Sequence, residues 1–231
     1  MTKTKTKTKI STDTLNILKN FAAINSNLHV KVGSTLNTVS PSKTVLAEAQ
    51  VKETFDTEFG IWDMGKFLSV VSLFRDPVFE FEDNHVIIGD SSETSVASVR
   101  YYFSDPTLLT KEDRKIVMPK ISVSFQLTKD DLGSLLKAAS VLQAPDMCVE
   151  ACNEGICIRV CDKKDPTAHS WSLSINIEEH NYSFRSWFKI ENLKLIPADY
   201  TVDIGEKRVA RFTGASVSYW VAMESDSTNK A

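Results

Sequence analysis

The chain repeats itself once, and this internal duplication constrains the fold more than any other feature of the sequence. Three short patterns from the first half return in the same order in the second half, at nearly constant separation. The matched patterns are Leu15, Leu18 and Ala22 with Leu132, Leu135 and Ala139, residues 59–62 with 184–187, and residues 97–101 with 215–219. The repeat predicts two similar units, each ordered as helix, strands, helix and strands. A chain of 231 residues can form two such units of about 110 residues each.

Periodicity in the first half predicts a unit of the α+β class. Residues 11–26 place their apolar side chains on one arc of a helix, and Ser11 is a favourable N-cap. Residues 63–74 show the same helical pattern over a shorter length. Alternating or apolar runs predict strands at residues 28–32, 44–51, 78–81, 86–89 and 94–103.

A polar segment at residues 105–120 separates the two units. Pro106 and Pro119 bound it, which is typical of an exposed connector. We therefore predict one domain at residues 11–104 and a second at residues 121–231. Residues 1–10 alternate lysine with threonine over most of their length and are expected to form a solvated, mobile tail. An arm that touches phosphates is the alternative.

The charge of the chain argues against tight binding to nucleic acid through many phosphate contacts. The formal net charge is −3 at pH 7, although four lysines lie in the N-terminal run alone. Proteins that grip phosphates usually carry a basic face and a high pI. Loose contact with DNA is compatible with this charge. No apolar run reaches the roughly 20 residues that cross a bilayer, so a cytosolic protein without membrane association is expected.

Four cysteines in the second half raise the question of a zinc site. They are Cys148, Cys152, Cys157 and Cys161. A hairpin turn at Glu154-Gly155 would make Cys152 face Cys157 and Cys148 face Cys161. The two pairs would then be about 13 Å apart, too far for one tetrahedral zinc ion. Four free thiols and no metal are expected, with cross-strand disulfides as the alternative. The expected core face of this hairpin carries Val149, Ala151, Ile158 and Val160.

Catalysis has no support in the sequence. The four histidines are scattered, and no glycine-rich phosphate loop, nucleophile elbow or paired-histidine metal motif is present. The acidic pair Asp130-Asp131 stands at a predicted helix start, where carboxylates stabilise the helix dipole. We therefore expect neither an enzyme nor a bound cofactor. A small enzyme of unrecognised class, acting through His169 or Glu178, is a distant alternative.

Several short segments, in their order, resemble the sliding clamps of T-even-type phages. The matching segments are residues 18–22 and 24–26, Ala47-Glu48-Ala49, residues 63–68, Asp105-Pro106, Glu154-Gly155 and residues 219–228. They extend over nearly the whole chain. The Lys-Thr extension and the hairpin cysteines depart from the family pattern without affecting residues that a clamp needs.

The resemblance implies the DNA-clamp fold and a function in DNA replication. In this family six similar domains form a closed ring, so two domains per chain imply a homotrimer. Helices line the hole and antiparallel sheets form the rim. The expected partners are double-stranded DNA, bound without regard to sequence, the C-terminal tail of the replicative DNA polymerase, and an ATP-driven clamp loader. A transcription co-activator role is a further implication, and the expected location is the cytoplasm of the infected bacterial host.

The resemblance also assigns functions to helix faces. Side chains left outside the apolar arcs would face DNA, where a few lysines among small polar groups attract phosphates weakly and read no bases. The main candidates are Lys19, Asn20, Lys66, Lys129 and Lys137, accompanied by Asn16, Ala23, Ser69 and Ser140. Ordinary solvated helix faces would explain the same pattern.

Two further surfaces are implied by the resemblance. An edge strand at residues 94–103 would pair with residues 168–177 of the next chain, through Val96, Val99, Tyr101, Trp171, Leu173 and Ile175. A pocket near the connector would take the apolar tail of a partner protein. Its candidate residues are Val39, Val117, Met118, Pro197, Tyr200 and Trp220, for which ordinary core packing is the alternative. A protein-only recruitment scaffold that does not encircle DNA is the main alternative function.

Overall fold

The computed structural model describes residues 7–90, 97–110, 117–153, 155–177 and 183–230. The chain divides into two compact units, Met1–Arg114 and Lys115–Ala231. The division lies within the predicted connector.

The first unit packs two helices against antiparallel strands. Its elements are β1 (Lys7–Lys9), α1 (Thr12–Ile24), β2 (Leu28–Val30), β3 (Gly33–Val39), β4 (Val45–Phe55), β5 (Phe59–Ile61), α2 (Met64–Val71), β6 (Pro77–Phe81), β7 (His85–Asp90) and β8 (Ser98–Tyr102). One sheet has the order β1-β6-β7-β8, while β3 pairs with β4 and β2 with β5. Neither β3 nor β5 was predicted, because neither sequence shows the regular alternation of apolar and polar residues that identifies a strand.

The second unit repeats this arrangement. Its elements are β9 (Ile121–Leu127), α3 (Lys129–Leu142), β10 (Asp146–Cys152), β11 (Gly155–Cys161), β12 (Trp171–Asn176), β13 (Ser183–Lys189), β14 (Tyr200–Gly205), β15 (Val209–Thr213), β16 (Val217–Ala222) and β17 (Thr228–Lys230). Within this unit the strands pair in the orders β9-β14-β15-β16 and β12-β11-β10-β13-β17.

The topology confirms the predicted duplication. In each unit a first strand and a long helix precede four strands, and three further strands then complete the sheet begun by the first strand. The units differ at the second helix. The first unit has α2 there, whereas the second has only a 3₁₀ turn at Ile190–Asn192, so the predicted second helix of that unit is corrected to a single turn.

The long helices begin and pack as their sequences predict. The Ser11 hydroxyl accepts a hydrogen bond from the Thr14 amide and caps α1. Thr128 caps α3 through the Asp131 amide in the same way. The repeated apolar positions are buried or half-buried in both helices, so the amphipathic pattern correctly identified the inward face. The fully buried members of that set are Leu18, Leu132, Leu135 and Ala139.

Each unit has its own aromatic core. In the first unit, rings from β4, β5, β6 and α2 contact one another at centroid distances between 5.3 and 6.3 Å. In the second unit, Tyr200 contacts Phe212 and Tyr219 edge-on. The Tyr200 hydroxyl donates to the Ile196 carbonyl oxygen at 2.6 Å, so the buried phenol remains hydrogen-bonded.

The predicted mobile tail does not extend to residues 7–10. Lys7–Lys9 forms β1 and pairs with β6, and the Lys9 ammonium lies 2.6 Å from the Asp76 carboxylate. Ile10 is buried and anchors the segment in the core. The expectation overlooked that one apolar residue next to a lysine run suffices to fix an edge strand. Residues 1–6 lie outside the described residues.

The predicted cysteine register is wrong by one pleat. Cys152 pairs with Gly155, Glu150 with Cys157, and Cys148 with Arg159. Glycine at position 155 has a φ of 132°, so it ends the turn rather than filling its centre. A shift of two residues keeps every side chain on its predicted face, and Val149 and Ile158 are buried as expected. All four cysteines are free thiols.

The described ends of the connector are attached to their own units. The Thr110 amide donates to the Asn27 side chain at 3.1 Å, and Leu109 is buried. At the other end, the Glu206 amide donates to the Lys120 carbonyl oxygen at 3.0 Å. Val117 is 82% exposed, so it does not pin the connector to the second unit. Among the helices of the described residues, none has the length and apolar content to span a membrane.

Candidate DNA-facing helices, partner surface and subunit edges

The predicted DNA-facing residues lie on the solvent faces of α1, α2 and α3. The four lysines of this set are exposed, and Asn20 is half-buried. They are Lys19 on α1, Lys66 on α2, and Lys129 and Lys137 on α3. Acidic side chains accompany them, because Asp13 pairs with Lys52 beside α1 and Asp130 is exposed in the first turn of α3. The exposed helix faces are therefore only weakly basic.

A buried carboxylate on β4 holds the start of α1. The Glu53 carboxylate accepts hydrogen bonds from the Ser11 amide and from the Thr14 hydroxyl. Burial opposes ionisation of Glu53, but these hydrogen bonds outweigh it and lower the pKa of the carboxyl below its ordinary value. The negative charge also lies at the positive end of the helix dipole. Glu53 thereby fixes α1, with its exposed Lys19, against the sheet.

The end of α1 is held by a second polar contact. The Asn25 side-chain amide donates to the Val39 carbonyl oxygen at 2.8 Å, and its oxygen accepts from the Asn27 amide. Asn25 is buried, so both contacts satisfy groups that water does not reach. Neither Glu53 nor Asn25 was predicted as important. Glu53 could have been noticed, because it occupies an inward position in the alternation of β4.

Residues at the start of α2 and α3 position the other lysines. Asp63 caps α2 by accepting from the Lys66 amide at 2.8 Å, and the Tyr101 hydroxyl donates to the Asp63 carbonyl oxygen at 3.3 Å. In the second unit, the Lys129 amide donates to the Asp199 carboxylate at 2.7 Å. A carboxylate therefore already occupies the N-terminus of α3, which leaves that end unsuited to binding phosphate.

The predicted partner-pocket residues fall into two groups. Val39 and Tyr200 are buried in the cores of their own units and present almost no surface, so for them the core alternative holds. Val117 and Pro197 are exposed, and Met118 and Trp220 are half-buried. The Trp220 indole N–H has no hydrogen-bond partner within the described residues. Apolar spacing in the sequence could not separate these groups, because core and surface pockets use the same residue types.

The two predicted joining strands are both edge strands. β8 ends the sheet β1-β6-β7-β8, and β12 ends the sheet β12-β11-β10-β13-β17. The side chains predicted to lie at the subunit interface are half-buried and share the core-facing side of their strands, where Val99 and Tyr101 alternate with the exposed Ser98, Arg100 and Tyr102. Trp171, Leu173 and Ile175 show the same alternation on β12. Val96 lies outside the described residues.

The edge strands differ in charge. β12 contains no charged residue over its six positions, as is also true of the edge strands β3 and β9, whereas the outer edges β1 and β17 contain lysine. Lysine on an edge strand discourages pairing with another chain, and its absence leaves the strand available for pairing. In the described residues, no three His, Cys, Asp or Glu side chains are grouped as metal ligands.

Comparison with known proteins identifies the family. A family model described as DNA polymerase processivity factor matches residues 9–118, and one described as gp45 sliding clamp, C terminal, matches residues 124–225. The sliding clamp of Escherichia phage RB69 is 30% identical over 229 residues, covering 96% of this chain and 99% of the relative. The sliding clamps of Enterobacteria phage T4 and Vibrio phage KVP40 are 28% and 27% identical over 229 and 221 residues, covering 96% and 94% of this chain and 99% of each relative.

Solved structures show the same fold at low identity. The proliferating cellular nuclear antigen of Entamoeba histolytica has a TM-score of 0.70 at 12% identity, covering 94% of this chain and 97% of that chain. The Helicobacter pylori beta clamp bound to a DNA ligase peptide has a TM-score of 0.71 at 12% identity, covering 97% of this chain and 67% of that chain. The chain therefore belongs to the family of phage sliding clamps, which are DNA polymerase processivity factors.

Proposed function

We propose that three copies of the chain close into a ring around duplex DNA and tether the replicative polymerase to its template. The uncharged edge strand β12 carries this proposal, because an unprotected edge of six residues tends to acquire a pairing partner. β8 is the complementary edge at the other unit. Pairing β8 of one chain with β12 of the next uses each edge once per subunit, so the contact is heterologous and repeats until the ring closes.

The helices supply a weak and sequence-independent contact with DNA. Lys19, Lys66, Lys129 and Lys137 are exposed on helix faces where most of the other exposed side chains are small polar or acidic groups. A net charge of −3 limits the affinity of the free chain for phosphates. A ring of this kind stays on DNA because it is closed around the duplex, while the lysines only guide sliding.

Partner proteins dock by an apolar C-terminal peptide. Val117 and Pro197 provide exposed apolar surface on the second unit. Met118, which follows Val117 in the sequence, and Trp220 of the same unit are half-buried and apolar. The Helicobacter pylori beta clamp is known bound to a DNA ligase peptide, and the PCNA of A. fulgidus is known bound to the C-terminal region of FEN-1. We propose the polymerase tail as the corresponding ligand, with an ATP-driven loader to open the ring and a transcription partner as a further user of the same surface.

A processivity assay with polymerase and clamp loader tests the ring. Circular and linear templates are compared, because a closed ring slides off free ends and is retained on a circle. We expect long products and clamp retention only on the circular template. A protein-only scaffold, the alternative function, would perform equally on both templates.

The lysines are tested by charge reversal in the same assay. Lys19→Glu combined with Lys137→Glu should shorten the products while the sedimentation coefficient of the trimer stays unchanged. Lys164→Glu serves as a matched control, since Lys164 is exposed on the loop after β11 and outside the helices. Equal product lengths for the double variant and the control would remove Lys19 and Lys137 from the DNA-facing set.

A further inference from the structure

Trp62 exposes a large apolar surface although it joins the buried strand β5 to the amphipathic helix α2. It stands between β5 and Asp63, the N-cap of α2, and 58% of its surface is accessible. Tryptophan is among the residues that contribute most to protein interfaces, because one side chain buries a large area at little entropic cost. Trp62 lies near β8, which is an edge strand of the sheet β1-β6-β7-β8, so its exposed surface is available to a chain that pairs with this edge.

Contacts around α2 place Trp62 at one end of β8. The neighbouring Asp63 accepts a hydrogen bond through its carbonyl oxygen from the Tyr101 hydroxyl at 3.3 Å. The Tyr101 ring also packs edge-on against Phe67 of α2, with ring centroids 5.2 Å apart. Trp62 therefore lies near the C-terminal end of β8, on the side of the sheet that α2 covers.

The partner edge has an apolar corner at one end as well. Trp171 opens β12 and pairs with Val160, while the next residue of β11, Cys161, pairs with Asp146. Asp146 follows the end of α3 by only a few residues, and α3 packs against β11 and β12. The last turn of α3 therefore lies at the Trp171 end of this sheet. Val141 in that turn is 74% exposed.

Antiparallel pairing brings these two regions together. When β8 and β12 pair in opposite directions, the C-terminal end of β8 lies opposite the N-terminal end of β12. In the proposed ring the helices of both units face the hole, so the α2-covered side of one sheet would adjoin the α3-covered side of the other. Residues 138–142 of α3 carry no charge, so burying this corner requires no desolvation of an ion.

We infer that Trp62 packs against the corner formed by Trp171 and Val141 of the neighbouring subunit, as a second component of the ring interface beside the paired strands. This inference rests on the proposed trimer and names residues that strand pairing alone does not involve. It assigns the ring interface a compact apolar centre on its helix side, where water is excluded from the strand hydrogen bonds.

Dissociation of the trimer on dilution tests the contribution of Trp62. We expect Trp62→Ala to raise the concentration of half-dissociation, measured by sedimentation velocity, by at least about tenfold, as for a tryptophan at the centre of an interface. Leu73→Ala is the matched control, because Leu73 is 70% exposed and lies beyond the opposite end of α2. The control should dissociate like the original chain, and circular dichroism checks that both variants remain folded.

Cross-linking tests the contact directly. Trp62→Cys combined with Val141→Cys should form disulfide-linked dimers and trimers under mild oxidation, seen on non-reducing gels. Leu73→Cys combined with Val141→Cys retains the same four native cysteines and should give no more linked species than the original chain. A stable trimer that neither depends on Trp62 nor cross-links through it would overturn the inference and leave the proposed ring intact. A chain that is monomeric at every concentration would overturn both.

Discussion

At the residue scale, Glu53 connects the folded core to a helix that carries a proposed DNA contact. Its carboxylate is buried and satisfies the Ser11 amide and the Thr14 hydroxyl. Replacing one carboxylate oxygen by an amide NH2 would leave one of these two donors without its acceptor. Such hydrogen bonds to a charged group contribute about 1.5–3 kcal/mol. A single acidic residue in a strand thus determines how firmly α1 is held.

We expect Glu53→Gln to lower the free energy of unfolding by about 1.5–3 kcal/mol at neutral pH. Chemical denaturation monitored by circular dichroism measures this change. Glu48→Gln on the exposed face of the same strand is the control and should change stability by less than about 0.5 kcal/mol.

The pH dependence of this difference has a definite sign. The folded-state pKa of Glu53 is lowered from its ordinary value of 4.5. The stabilisation is therefore fully present above about pH 4.5 and is lost as the pH falls through the folded-state pKa. The difference in stability between the original chain and Glu53→Gln should shrink as the pH falls below 4.5 and through the folded-state pKa. A difference that stays constant throughout the acid titration would show that ionisation of Glu53 does not matter.

Cys148 provides a second prediction at this scale. Burial, together with nearby Glu150, raises the pKa of its thiol to about 12, so roughly one molecule in ten thousand carries a thiolate at pH 8. Cys148 should resist iodoacetamide in the folded chain and react after denaturation, whereas the half-buried Cys152 serves as the accessible reference. Mass spectrometry of the digested protein measures both. Rapid labelling of native Cys148 would contradict its burial.

At the element scale, the edge strands determine which surfaces can assemble. β12 has no charge, whereas β1 carries two lysines. The difference in charge can be read from the composition of the two strands. It affects assembly because both strands lie at sheet edges, where a lysine discourages pairing with another chain.

We expect Leu173→Lys to convert the trimer to monomers, because a lysine would be introduced into the joint between β12 and β8. The effect should be a shift in sedimentation coefficient at micromolar concentration. Because Leu173 is half-buried on the core-facing side of β12, circular dichroism checks that the variant remains folded. Lys7→Glu on the charged edge β1 is the control and should leave assembly unchanged. A trimer that tolerates Leu173→Lys would exclude β12 as the joining strand.

At the scale of the whole molecule, charge and closure contribute differently to retention on DNA. A protein held by six to ten phosphate contacts loses about 10³–10⁵ in affinity between about 50 and 200 mM salt. A chain with a net charge of −3 makes little phosphate binding of this kind, so salt has little of it to weaken. A closed protein ring is retained instead because circular DNA has no free end from which the ring can slide off.

We therefore expect the amount of clamp retained on a nicked circular plasmid after loading to change by less than about tenfold over the same salt range. Gel filtration of the loaded DNA measures retention. Cutting the plasmid once should release the clamp at either salt concentration. Retention that falls steeply with salt, or that survives cutting, would favour phosphate binding over encirclement.

The features that depend on local periodicity could be predicted from the amino-acid sequence alone. Repeated apolar spacings predicted α1 and α3, and their recurrence predicted two similar units. Ser11 was predicted as the cap of α1 from its side-chain chemistry, whereas the cap of α3 by Thr128 was seen only in the structure. The exposure of Lys19 and Lys137 was predictable for the same reason, since a helix has one inward arc.

Features that depend on contacts between distant segments could not be predicted from local sequence and were seen only in the folded chain. Ile10 fixed the end of a segment that looked mobile, and the hairpin register moved because Gly155 ends the turn. Val39 and Tyr200 became core residues, and Glu53 became a helix cap, through packing against segments far away in the chain. Sequence periodicity reports which face of an element is apolar, but only packing decides which surface covers that face.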